Sequence, residues 1–278
     1  MKITVTADDL GISPGVNAGI IEAHQKGRLD RASLLANSEY FDQAVILIKN
    51  QTPGLKLGVH LNLTYGKCVS RELPAGILVN KNSFFRCSYV KLLMLSLGPW
   101  QKKLYYQARL EFEAQFNKIQ NHKINISHID SHHHIHTIPL FRKIVYELAK
   151  KYGIKEVRVI NENIFTTYFL TKSIFLFDIK HVLFFCLNKI FHYFYKIDKS
   201  KYFVSILYSC RLKEEYLRNI QALSKYQFVE IMLHPGNPDM DKKMQISIGK
   251  ETNHIYSPYR EQEKKTACFL KNQLKISH

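Results

Sequence analysis

Five histidines and an aspartate fall within nine residues of this chain, His128-Ile129-Asp130-Ser131-His132-His133-His134-Ile135-His136. Imidazole is the commonest protein metal ligand and the usual general acid or base near neutral pH, so the cluster points to metal-dependent catalysis. Two geometries fit it. An extended chain puts His128, Asp130 and His132 on one face; a chain that turns helical after Ser131 makes His132 and His136 neighbours four residues apart. His132 belongs to both sets and is the member expected to bind an ion. His128, His133, His134 and His136 are left for supporting, substrate-binding or structural roles, and an adventitious histidine-rich surface fits the Ile-Asp-Ser context poorly.

Three other places carry residues able to do chemistry. Asp8-Asp9 follow a short β-branched run, and neighbouring side chains on a strand point to opposite sides, so one carboxylate can bind metal while the other takes a proton. Taken alone, such a pair is more often a turn or helix cap. In Gly58-Val59-His60-Leu61-Asn62-Leu63-Thr64 a histidine stands among aliphatic residues at a strand end, where a lone imidazole is usually a hydrogen-bonded core residue. Ile231-Met232-Leu233-His234-Pro235-Gly236 delivers a histidine and then stops at Pro-Gly, which enforces a turn and holds the ring at a rim. A residue so placed suits a general acid opposite an aspartate base. Asp, His and His around one ion would leave coordination positions for water, as in catalytic sites.

The elements that must position these residues have α/β rhythm. Strand-like runs occur at Lys2–Thr6, Ser33–Asn37, Leu57–Leu61, Ile126–Ile129, Glu156–Ile160, Tyr202–Leu207 and Phe228–Leu233, judged by aliphatic runs between breakers. Ser13-Pro14 and Gly27 bracket a helix over Val16–Lys26, and Leu104–Asn121 and Pro139–Tyr152 are further helices. Parallel strands joined by helices close into a barrel or a doubly wound sheet, with the chemistry at the strands' C-terminal ends. Those ends carry Asp8-Asp9, Asn37, His60, Asp130 to His132 and His234, which this topology would gather at one mouth.

Composition sets the bounds. The chain has 278 residues, 46% hydrophobic and 23% charged, which suits a single domain over 1–278. Five scattered cysteines, none in a zinc spacing, suit reduced thiols, and the N-terminus lacks the apolar run of an export signal; a cytoplasmic protein is expected. The formal net charge of +17 favours anionic partners, but no RNP, zinc-finger or P-loop pattern accompanies it, so nucleic-acid binding is disfavoured. A homodimer stays open. Two insertions interrupt the rhythm, at about 68–100 and 164–200. The second is dense in Phe, Tyr, Leu and Ile, yet Lys172, Asp178, Lys180 and Lys189 interrupt it, leaving no uncharged run of the ~18 residues a spanning helix needs. It suits buried helices, or a basic aromatic surface in peripheral contact with lipid or a lipid-linked substrate.

The ordered motifs Thr6-Ala7-Asp8-Asp9-Leu10-Gly11, Ser33 to Asn37, Gly58 to Thr64, His128 to His136 and His234-Pro235-Gly236 resemble those of the YdjC-like carbohydrate deacetylase family (ChbG and HpnK type). The likeness covers residues 1–66 and 101–160 well and 228–270 adequately, where Tyr259-Arg260-Glu261 opens a terminal helix. It departs at Leu10, where many relatives have Phe, and through both insertions. The resemblance implies a TIM-barrel-like (β/α) barrel of about seven parallel strands. It also implies a metal-dependent hydrolase that removes the N-acetyl group of an amino sugar, chitooligosaccharide-like or linked to a glycolipid. Carried over, Asp9, His60 and His132 would hold one divalent metal ion, Asp8 would be the general base and His234 the acid. The family implies Mg2+, whereas the ligand types also suit Zn2+. A hydrolase of another amide or a phosphoester would use the same ligands, and a non-catalytic basic protein associated with lipid or nucleic acid is the remaining alternative.

Overall fold

A computed structural model describes residues 1–172, 179–195 and 197–275. Among the described residues six strands form one sheet: β1 (Lys2–Leu10), β2 (Arg31–Leu34), β3 (Lys56–Leu61), β4 (Ile126–Ser131), β5 (Lys201–Val204) and β6 (Phe228–Leu233). Their order is β4-β3-β2-β1-β6-β5 and every pairing is parallel. The sheet curls into a parallel half-barrel. β1 lies inside the sheet between β2 and β6, and from Val5 onward its residues are buried on both faces, as in parallel sheets covered on both sides.

The expected seventh strand, Glu156–Ile160, is not one. It makes a single bridge, Val157 with Ile129, and divides its backbone bonds between the two sheet edges. Ile129 N–H donates to Glu156 O at 2.9 Å and Arg158 N–H to Ile129 O at 2.9 Å, while Phe203 N–H reaches Asn161 O at 3.3 Å. A segment that bonds to β4 at one end and β5 at the other crosses the opening without building a ladder. The run at Tyr202–Leu207 also ends sooner than its apolar character suggests, with β5 stopping at Val204.

Around the sheet run α1 (Pro14–Lys26), α2 (Phe41–Gln51), α3 (Tyr89–Leu97), α4 (Gln101–Asn121), α5 (Pro139–Lys151), α6 (Ile164–Thr171), α7 (Ile179–Phe194), α8 (Pro238–Lys243), α9 (Thr252–Ile255) and α10 (Tyr259–Lys275). The hydroxyl of Ser13 caps α1 by accepting from Val16 N–H at 3.2 Å, and Pro14 occupies the first turn, where its missing N–H costs nothing. Phe141, Ile144, Val145 and Leu148 recur at helical spacing on α5 and are all buried. The first insertion contains two antiparallel bridges and α3. The second contains α6 and α7; its residues 173–178 and 196, Asp178 included, lie outside the described residues. No helix among the described residues is long and apolar enough to cross a membrane.

Candidate active site

The C-terminal ends of the strands open into a cleft of about 710 Å³ lined by Asp8, Asp9, His60, His132 and His234. Four of the five strand ends named from sequence therefore contribute to one mouth. Asn37 does not. It stands beyond β2, where its amide donates to the carbonyls of Tyr65 (2.7 Å) and Lys67 (3.0 Å) and braces a loop.

Asp8 and Asp9 both face the cleft, contrary to the alternation expected of a strand. The β1–β2 register shifts between Ala7 and Leu10, and Asp9 has a left-handed backbone, φ 67°, so the strand bulges and turns consecutive side chains to the same side. Asp9 is 1% exposed. Its Oδ1 lies 2.9 Å from His132 Nδ1 and 3.5 Å from His60 Nε2, and its Oδ2 lies 3.0 Å from His254 Nε2 and accepts from Arg260 Nη2 at 2.7 Å. Burial opposes its charge, but His132, His254 and His60 outweigh that and hold the carboxyl well below the usual range.

The potential ligand atoms of Asp9, His60 and His132 lie within 4.8 Å of one another. Their surroundings fit a cation. His60 Nδ1 lies 2.7 Å from Asp130 Oδ1, so the bond places a proton on Nδ1 and turns Nε2 towards Asp9, the arrangement that orients metal-binding histidines. Burial works against charge on His60, yet Asp130, Asp8 and Asp9 pull its pKa up to about 10. A negative field strong enough to hold that proton is equally suited to a metal ion. His132 Nε2 is buried without a hydrogen-bond partner, and Glu251 Oε2 stands 3.9 Å away.

Asp8 is held differently. The guanidinium of Arg158 grips it with two bonds, Nη1 to Oδ2 at 2.6 Å and Nη2 to Oδ1 at 2.7 Å, and also reaches Asp130 (2.7 Å) and Glu230 (2.9 Å). Burial raises the Asp8 carboxyl above its ordinary value, and the charge on Asp130 adds to this while Arg158 opposes it. Across the cleft, His234 Nδ1 lies 3.3 Å from Glu263 Oε2 without hydrogen-bond geometry, and Glu263 also accepts from the His234 backbone N–H. Burial disfavours charge on His234, but Cys210 and Glu263 raise its imidazole well above the usual range.

The remaining histidines of the cluster separate. His128 is buried beneath β3, between Ser127 Oγ (2.8 Å) and Ser33 Oγ (3.1 Å), and burial with Arg31 nearby lowers it to about 3. His136 Nδ1 bonds Ser131 Oγ at 2.6 Å behind the site. His133 and His134 both have left-handed backbones, φ 52° and 54°, which turn the chain after β4 and bring both rings to the cleft wall. Neither an extended strand nor a continuous helix describes the run.

Sequence reasoning missed Arg158, His254, Arg260 and Glu251. Arg158 had a usable signal, since an arginine in the aliphatic run Val157–Ile160 is costly unless it neutralises buried carboxylates. His254 and Glu251 sit in a polar segment without a pattern.

A family model described as YdjC-like protein matches residues 2–274. The chain belongs to the YdjC-like family. Family relatives include a carbohydrate deacetylase of Brevibacillus brevis, 32% identical over 239 residues, covering 86% of this chain and 83% of that protein. A carbohydrate deacetylase of Listeria monocytogenes is 40% identical over 154 residues, covering 55% of this chain and 59% of that one. The fold is shared with a crystal structure from Enterococcus faecalis of a protein named for cellobiose-phosphate cleavage, with TM-score 0.68, 23% identity, and coverage of 99% of this chain and 94% of that one. The family model thus spans all six strands and the residues that line the cleft.

Proposed function

We propose that this YdjC-like protein is a carbohydrate deacetylase that hydrolyses the N-acetyl group of an amino sugar, with a divalent ion held by Asp9, His60 and His132. The observation that carries this reading is the approach of two imidazole nitrogens to one oxygen of Asp9, in a cleft that also contains a second carboxylate and His234. Such an ion would polarise the acetamide carbonyl and acidify a water molecule. The donor set is compatible with Mg2+ or Zn2+.

The chain's own residues account for the proton movements. Asp8, raised by burial and fixed in direction by Arg158, is the base that accepts a proton from the attacking water. His234, kept protonated by Cys210 and Glu263, is the acid that donates to the departing sugar amine. Arg260 and His254 hold the second oxygen of Asp9, so that its first oxygen keeps its orientation. The products are acetate and a free amino sugar, either on a chitooligosaccharide or on a lipid-linked sugar.

The test is acetate release from N-acetylglucosamine oligomers, measured with added Mg2+ or Zn2+, with chelator, and for Asp9→Asn. Acetate that depends on the metal and disappears with Asp9→Asn is the expected result. Phosphate release from phosphoesters with no acetate from any acetylated sugar would replace the proposal with a phosphoesterase.

A further inference from the structure

Helices α3 and α7 put their apolar residues in the wrong place for a helix that packs only against its own core. On α3, Val90, Met94 and Leu97 recur at helical spacing and are 50%, 68% and 74% exposed. On α7, Leu183, Cys186 and Ile190 recur at the same spacing and are also exposed, Leu183 and Ile190 by 54% each. Trp100, 52% exposed, continues the α3 stripe.

These two stripes meet at the cleft. The rings of Tyr89 and Phe184 pack edge to face at 5.1 Å and join the helices. Val90 and Leu183, both exposed, are also part of the cleft wall, so each stripe has one end at the mouth. The charge pattern is one-sided. From Arg86 to Lys103 there is no acidic residue, while Arg86, Lys91, Lys102 and Lys103 are all exposed. From residue 164 to 195 the sequence has three lysines and one aspartate.

We propose that the α3–α7 face is a membrane-docking platform that seats on an anionic lipid bilayer with the cleft mouth turned towards the headgroups. Exposed aliphatic side chains flanked by tryptophan and lysines are what an interfacial helix presents: the apolar stripe enters the headgroup boundary and the lysines meet lipid phosphates. At 9 and 16 residues the helices are too short to span a bilayer, which takes about 20 residues, and they therefore lie on it. A second copy of this chain is the less fitting occupant, because joining two such faces would bring basic surfaces together. Docking is independent of the deacetylase reading, since it concerns binding and not turnover.

The experiment is co-sedimentation of the full chain with vesicles of phosphatidylcholine alone, or with phosphatidylglycerol as roughly a third of the lipid. The wild-type protein is expected to partition at least tenfold more strongly onto the anionic vesicles, by roughly fivefold per engaged lysine, and to be released by salt. Met94→Glu with Leu97→Glu, and separately Ile190→Glu, are expected to lower partitioning by roughly tenfold or more, with unchanged circular dichroism and thermal melting because these side chains are exposed. The proposal is overturned if the wild-type chain stays in the supernatant with anionic vesicles, or if it partitions equally with all three substitutions. It is also overturned if the wild-type chain is a dimer at working concentration that the same substitutions convert to monomer.

Discussion

Replacing Arg158 with methionine keeps the length of the stem and removes the charge from the middle of three carboxylates. In the folded protein that guanidinium makes contacts of 2.6, 2.7, 2.7 and 2.9 Å to Asp8, Asp130 and Glu230. Removing one partner of a buried ion pair costs about 3–5 kcal/mol, because the other charge is left without compensation. Two circumstances limit the loss here: Glu230 keeps Arg31 at 3.1 Å, and Asp8, already raised by burial, can take up a proton. About 4 kcal/mol is a fair expectation, within a total stability on the order of 5–15 kcal/mol. For a chain of this size roughly 2 °C of melting temperature accompanies each kcal/mol, so calorimetry should show a fall of about 8 °C. Kinetics supplies an independent readout. Without Arg158 the Asp8 carboxyl rises further, a base must be ionised to work, and the acid limb of the kcat profile moves to higher pH. Arg158→Lys, which keeps a charge but not the two-pronged grip, should fall between the two. A methionine variant that melts within 2 °C of the wild type, roughly the effect of 1 kcal/mol, and keeps its acid limb would refute the claim that Arg158 neutralises and aims Asp8.

Glu162 is buried and accepts from the backbone N–H groups of Ile206 (2.7 Å) and Leu207 (3.2 Å), and burial raises it from 4.5 to about 7. Between those values the folded state binds more protons than the unfolded one, so stability falls as pH rises from about 4.5 to 7 and levels off above; chemical denaturation across that window should show the slope, and Glu162→Gln should reduce it. Gly58 leaves room for His128, since a Cβ there would lie 2.4 Å from the ring; Gly58→Ala should displace His128 and cost about 1–3 kcal/mol, read as a lower melting temperature. Asp130→Asn removes the negative charge that holds the His60 Nδ1–H and raises the basicity of the ring, and should weaken metal affinity by roughly 10- to 100-fold in a calorimetric titration.

Local signals carried most of the elements, and they failed where partners come from far along the chain. The cap at Ser13-Pro14, the stripe on α5 and the aliphatic runs of β3, β4 and β6 each involve residues within a few positions of one another. The segment 156–160 has the same β-branched character as a strand, but whether it pairs depends on the distance between β4 and β5, which no local pattern encodes. The site divides in the same way. Asp8, Asp9, His60, His132 and His234 stand at strand ends in short contexts and were legible. Arg260 lies 251 residues from the Asp9 carboxylate it grips, and its role exists only once α10 packs against the strand ends. Alternation misplaced Asp9, because a bulge depends on the register of a neighbouring strand.

The positive φ of Asp9 also limits which descendants of this sequence are viable. Glycine, asparagine and aspartate tolerate that backbone readily, whereas other side chains cost roughly 1–2 kcal/mol there. A lineage that abandons hydrolysis can therefore change the charge at position 9 with least backbone strain through Asn or Gly. Catalytically silent descendants are expected to carry those two residues more often than any others, and to stay folded. A survey of inactive homologues that found alanine or a branched residue there as often would count against this constraint.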